Sequence, residues 1–296
     1  MSDVPQFSIC QLALPFTSME DDLEICRDLN IKGLGIDENK MEPGGDELLM
    51  AKLASLGVRP SICTPAVLSL LPSPAIPGPA EPERRLGEIC ASIRRLAAIG
   101  ADTVFVLTGP VGDYDKVTAR EIVVDGLRMA AETARAAGVT FAVEPMSERA
   151  LADPAAEPEM GIVREWSFIG SFNAMLTLRE EVGDDLKIIY DVWHLWDSPD
   201  VLQLTQKYAQ SVAGVQINDY RQPTRLQLDR LLPGQGVIPL PELFGALERG
   251  GYRGWYDLEV FSDLSLPDSI WARPAREWIE EGRRAFLTAW SAADRG

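Results

Sequence analysis

The sequence predicts an α/β fold, a single (β/α)8 TIM barrel spanning residues 1–296 as one domain, with its working face at the C-terminal ends of the strands. Three observations predict it. Short apolar runs alternate with longer amphipathic stretches, the order expected of parallel strands joined by crossover helices. Eight such runs fit within 296 residues, close to the length of about 250 at which one such barrel closes. The last four runs each carry an oxygen-bearing polar side chain at or near their ends, where the loops of one barrel face build a site.

The strands are expected at 7–14, 32–36, 58–63, 102–107, 139–143, 186–190, 212–217 and 254–260. A helix is expected over 18–30, where Ser18 followed by Asp21 resembles a capping box with Asp in place of Glu or Gln. Helices over 83–100 and 118–138 end in glycines, Gly100 and Gly138, placed to cap them. A last helix is expected over 276–290. A doubly wound open sheet is the rival architecture, but the first strand runs into QLALPFTS without the glycine-rich turn such a fold uses for a nucleotide. Two long loops interrupt the rhythm, a proline-rich one over 60–82 and another over 145–167. Loops of this length in a compact domain are usually functional lids or disordered.

Composition narrows the function. A net charge of −17 repels phosphate backbones, so nucleic acid is not an expected partner. No run reaches the ~18 apolar residues of a membrane span, and the N-terminus lacks the basic and apolar regions of a signal peptide. Cys10, Cys26, Cys63 and Cys90 form no C-x-x-C pair, so reduced thiols in a cytoplasm are expected.

Glu144, Asp191, Gln216 and Glu259 lie at the ends of the fifth to eighth strands, which a barrel brings to one mouth. Any one of them could simply begin a loop. Three carboxylates packed together repel unless protons or a cation neutralise them. An all-oxygen set suits one divalent metal ion of the harder kind, Mn²⁺ or Mg²⁺.

Beyond these positions, four segments carry a family resemblance: VEP at 143–145, DVWH at 191–194, GVQIND at 214–219 and GQGVIPLPELFGALERGGYRGWYDLEV at 234–260. The chain resembles the xylose isomerase-like TIM-barrel superfamily, often called the sugar phosphate isomerase/epimerase family, well over strands five to eight and loosely before them. The resemblance implies that Glu144, Asp191, Gln216 and Glu259 hold the metal. It also implies that His194, the only histidine in the chain, contacts substrate oxygens beside the metal. Two departures are visible. Many relatives carry histidine where Gln216 stands, glutamine being found in dehydratase-like branches. The arginine that some ketose epimerases place six residues beyond that ligand is replaced by Gln222. The endonuclease branch builds a zinc cluster from several histidines, which this chain lacks.

The chemistry expected is proton abstraction alpha to a carbonyl, with Glu144 and Glu259 as the acid–base pair and His194 steadying the oxyanion. A proton returned to carbon makes a sugar or cyclitol isomerase or epimerase. A departing hydroxyl or aglycone makes a lyase, resembling 3-dehydroshikimate dehydratase, inosose dehydratase or a keto-sugar eliminase. A non-catalytic ligand-binding barrel is the third reading. The partner is thus a small sugar-like or cyclic ketone, with room for a homo-oligomer. Trp166, Trp193 and Trp196 read either as packing or as an apolar wall for the substrate. Arg164, Arg221 and Arg225 read either as solvated loop charges or as binders of a substrate carboxylate or phosphate.

Overall fold

The computed structural model describes residues 4–147 and 166–294. The first half of the chain runs β1 (Gln6–Cys10), α1 (Met19–Asp28), β2 (Gly33–Gly35), α2 (Asp46–Leu56), β3 (Arg59–Pro60), β4 (Ile62–Cys63), α3 (Pro82–Ala98), β5 (Thr103–Val106), α4 (Lys116–Ala137) and β6 (Thr140–Val143). The second half runs α5 (Phe172–Val182), β7 (Leu186–Asp191), α6 (Val192–Leu195), α7 (Val201–Tyr208), β8 (Val212–Ile217), β9 (Asp219–Tyr220), β10 (Arg230–Leu231), α8 (Leu240–Arg249), β11 (Trp255–Leu258) and α9 (Ala275–Ala292).

Among the described residues nine strands form one parallel sheet in the order β3-β2-β1-β11-β8-β7-β6-β5-β4. Its two ends are the same stretch of chain. Ser61, between β3 and β4, donates its N–H to the Leu34 carbonyl at 2.9 Å, and its carbonyl accepts the Thr103 N–H at 3.0 Å. The sheet therefore closes into the eight-stave barrel the sequence predicts, with β3 and β4 as two halves of the third stave. The first stave is shorter than the apolar run suggests, because Gln11–Ala13 turns into a 3-10 helix.

Local signals set the helix ends. Ser18 and Asp21 make the reciprocal capping box of α1. Asp115 caps α4 at its start, and Gly138, at φ +76°, ends it in the left-handed region that costs glycine little. Inside the barrel, Gly33 leaves room for the Trp255 ring, which a Cβ there would approach to 2.5 Å. Ile62, Phe105, Ala142 and Ile189 fill the β4–β7 side of the interior. The opposite side is polar, with Ser8 donating to the buried Asp257 across β1 and β11.

The proline-rich loop after β4 is packed rather than free to open. Leu70 and Leu71 are buried and hydrogen-bond through their N–H groups to Leu107 and Thr108. Arg85, on α3 and 1% exposed, collects the loop: Nε donates to Ser69 O at 2.7 Å, Nη1 to Pro79 O at 3.0 Å and Nη2 to Ser69 Oγ at 2.8 Å. Neither a lid nor a disordered segment, the loop is here a packed wall, because the buried Arg85 cation, satisfied by carbonyls and Ser69 Oγ, ties it to α3. Most of the second long loop, 148–165, lies outside the described residues, and Arg164 with it. No helix among the described residues is long and apolar enough to cross a membrane.

Candidate active site at the barrel mouth

Strand register brings the polar strand ends together. Asp191 on β7 pairs with Gln216 on β8, and Gln216 pairs with Asp257 on β11. Glu259 follows two residues later, its N–H bonded to Ile217 O, and Glu144 continues β6 through a bond to Val106 O. All four predicted ligand positions are buried.

Asp191 is also the N-cap of α6. Its Oδ1 accepts the Trp193 N–H and the Asn218 amide, each at 2.9 Å. Gln216 Nε2 donates to Glu259 Oε1 at 2.7 Å, and the Cys10 thiol approaches the same oxygen at 3.4 Å. The remaining oxygens, Asp191 Oδ2 and Glu259 Oε2, are bridged by Nη1 of Arg230 at 2.7 and 2.9 Å. That guanidinium is buried between two rings, 5.2 Å from the Trp193 centroid and 4.8 Å from that of Phe261.

Glu144 stands apart. No hydrogen-bond donor reaches its carboxylate among the described residues; its nearest ionic neighbour is His194 Nε2 at 3.9 Å, which is also 3.7 Å from Asp191 Oδ2. The ligating atoms of Glu144, Asp191 and His194 all lie within 4.8 Å of one another, close enough to share a metal ion. His194 is 1% exposed, deeper than a histidine at a loop start would be, because the single turn of α6 folds it under the mouth. Ser147 meets its Nδ1 with both an N–H at 3.1 Å and a carbonyl at 3.2 Å. The same residue can thus pair with Nδ1 in either neutral tautomer and fixes the ring's orientation.

Burial dominates the electrostatics. It pushes Glu144 well above the usual carboxylate range, helped by the charges of Glu259 and Asp191 and opposed by Arg230. Burial also raises Glu259, with Arg230 opposing and Asp191 and Asp257 adding to the rise. Asp257 is raised by burial to about 7, against partial relief from Ser8 and Cys10. Arg230 keeps its charge: burial works against it, but the three carboxylates hold it above its ordinary value.

With all three carboxylates ionised, the one guanidinium would leave a surplus of two negative charges, and it is this crowding, added to burial, that raises Glu144 and Glu259. Gln216 Oε1 and Asn218 Oδ1 are buried here without a donor among the described residues. Surplus charge and orphaned oxygens together fit a divalent cation bound by oxygen.

Other predicted positions lie differently. Trp193 is fully buried and packs on Arg230, His194 and Tyr220, with no face at the surface. Trp196 packs on Tyr220, and Trp166 is half-buried against the apolar side of the barrel interior. Arg221 and Arg225 bind Asp229 and Asp268 in a half-exposed ion cluster. The basic group at the carboxylates is Arg230, which the sequence reading passed over; a lone arginine in the apolar run before PGQG was its one signal. Cys10, Asn218 and Asp257 were also missed, the first because it reads as an apolar strand residue.

The chain is similar to known proteins to different extents. The chain is 27% identical over 151 residues to an inosose dehydratase of Geobacillus thermodenitrificans, covering 44% of this chain and 51% of that protein. The chain spans about half or less of the inosose dehydratases it matches, 41% for that of Histophilus somni. A putative hydroxypyruvate isomerase of Streptomyces coelicolor is 27% identical over 219 residues, covering 71% of this chain and 69% of that one. Among solved structures, protein SMc04130 from Sinorhizobium meliloti superposes with a TM-score of 0.79 at 22% identity, covering 99% and 100% of the two chains. An IolI protein solved with a bound zinc atom superposes with a TM-score of 0.76 at 17% identity, covering 97% and 98%. At such identities these likenesses are of fold. The sequence profile of the xylose isomerase-like TIM barrel matches residues 16–289, nearly the whole chain, and the protein belongs to that family.

Proposed function

We propose that this protein is a divalent-metal-dependent enzyme that moves a proton alpha to the carbonyl of a small sugar-like or cyclic polyhydroxy ketone, as an isomerase or epimerase. The observation that carries the reading is the pair Glu144 and Glu259. They are two buried carboxylates on well-separated staves, both raised by burial and one of them without a hydrogen-bond donor among the described residues. A carboxylate raised in this way is a stronger base than one in water, and its conjugate acid can return the proton near neutral pH. Asp191, Gln216, Glu259 and Glu144 would hold the ion, with Mn²⁺ or Mg²⁺ favoured by the oxygen donors. Once bound, it would polarise the carbonyl.

Glu144 removes the α-proton, since no donor competes for its carboxylate among the described residues. Glu259 returns a proton, held in place by Gln216 and Cys10. His194, fixed through Nδ1 by Ser147, places Nε2 toward the substrate oxygens and carries a proton between them. The four cysteines are free and buried, in keeping with the cytoplasmic setting proposed here.

A second reading shares the first step and ends in loss of water, making the protein a dehydratase. The inosose dehydratase relatives and Gln216 favour it. Incubating the purified protein with Mn²⁺, deuterated water and a panel of keto-sugars and inososes separates the two. An isomer carrying solvent deuterium supports the isomerase, and a dehydrated product supports the lyase. No exchange with any ketone of the panel would remove both.

A further inference from the structure

The mouth of the barrel already holds one cation. Arg230 reaches it from β10, part of a two-stranded hairpin outside the barrel wall, whereas the carboxylates stand on or directly after barrel staves. The hairpin is anchored by the Arg230 N–H to Phe261 O at 3.1 Å and by the Asp229 ion cluster beside it. The guanidinium is therefore delivered by a separate element with its own supports.

Where it lands matters. Asp191 Oδ1 is taken by Trp193 and Asn218, and Glu259 Oε1 by Gln216 and Cys10. Asp191 Oδ2 and Glu259 Oε2 are the oxygens left to meet an ion, and both are on Nη1 of Arg230. An ion bound to these two oxygens would coincide with Nη1 or press a like charge against it. Nη2 lies 3.4 Å from His194 Nε2, so the same guanidinium also stands at the nitrogen that completes the Glu144–Asp191–His194 triad.

We infer that Arg230 is a built-in competitor for the divalent ion: it takes the oxygens of Asp191 and Glu259 that the ion needs, and so sets the affinity of the site. The inference rests on the metal-dependent reading above. Binding then requires the guanidinium to withdraw from Asp191 and Glu259 and from between the Trp193 and Phe261 rings. The cost of that withdrawal makes the site weaker for metals than its three carboxylates alone would make it. Removing the guanidinium should tighten binding.

The test titrates Mn²⁺ into the full chain after chelator dialysis, reading free Mn²⁺ by electron paramagnetic resonance. Arg230→Met keeps the length and fills the space between the rings; it is expected to bind Mn²⁺ at least ten-fold more tightly than the parent. Arg230→Lys keeps the charge and should stay within about three-fold of the parent. If the parent binds Mn²⁺ and Arg230→Met binds it no more tightly, the competition is refuted while the metal site stands. If no variant binds Mn²⁺, the metal-dependent reading fails and the competition with it. A second measurement serves if Arg230→Met does not fold. Mg²⁺ is titrated into the parent and the arginine Nε–H resonances are followed by ¹H–¹⁵N spectroscopy. The Arg230 signal, identified by its loss in Arg230→Lys, should move away from its ring-shielded position as the ion binds. A signal that stays shielded at saturating Mg²⁺ refutes the proposal.

Discussion

Asp257→Asn probes the electrostatics of the barrel interior while leaving both members of the proposed acid–base pair in place. Asp257 is fully buried beneath Glu259 and raised to about 7, from an ordinary value of 3.8. Between those two pH values the folded protein keeps a proton that the unfolded chain releases. Stability from this group therefore falls as pH rises through that window and levels off above it. At about 1.4 kcal/mol per pH unit, the whole window is worth about 4 kcal/mol, and the part between pH 5 and pH 8 about 3 kcal/mol. An asparagine has no such proton to lose. Any fixed cost of fitting the amide beside Ser8 is the same at both pH values and cancels between them. Urea unfolding of parent and variant at pH 5 and pH 8, with chelator present, reads the difference directly. The variant should gain about 3 kcal/mol on the parent from the lower pH to the higher. An equal stability difference at both would refute a proton held on Asp257.

Glu144→Gln should lower kcat by roughly 10²- to 10⁴-fold, the scale of a lost general base, while raising the thermal midpoint at pH 8, because it removes a carboxyl that must take up on folding a proton the unfolded chain has released; a drop in both would point to a structural role. Gln216→Leu should weaken Mn²⁺ binding, and Gln216→His should retain a site but shift its preference toward softer ions such as Zn²⁺; competition titrations compare them. His194→Asn should leave the fold in place at a cost of about 1 kcal/mol for the lost Ser147 contact. It should cut kcat by roughly 10²-fold or more. A near-parental kcat would make the histidine ordinary packing.

The barrel was legible because its signals are local and repeated. Apolar runs, Ser18 with Asp21, and the terminal glycines Gly100 and Gly138 each act within a few residues of themselves. The meeting of Glu144, Asp191, Gln216 and Glu259 was legible for a related reason: once the staves are counted, closure alone carries their ends to one mouth. What the pattern could not carry is anything that arrives from outside the staves. Arg230 comes from a short hairpin with no periodicity to mark it, while Arg221 and Arg225, nearer the strand, are drawn off by Asp229 and Asp268. The depth of His194 and Trp193 depends on one helical turn, α6, too short to announce itself by spacing. The division of the third stave at Ser61 is likewise a matter of partners on both sides.

Arg85 and the loop it gathers have a consequence for redesign. Four of the bonds that shape residues 69–79 come from one side chain in α3 and reach backbone or Ser69 Oγ within the loop itself. Loop and arginine therefore form a cassette. A segment running from Thr64 through Arg85 should move between barrels of this family with its inner bonds intact, needing from the host only the backbone partners that Leu107 and Thr108 supply here, whereas the loop grafted without its arginine would arrive with its inner carbonyls unpaired.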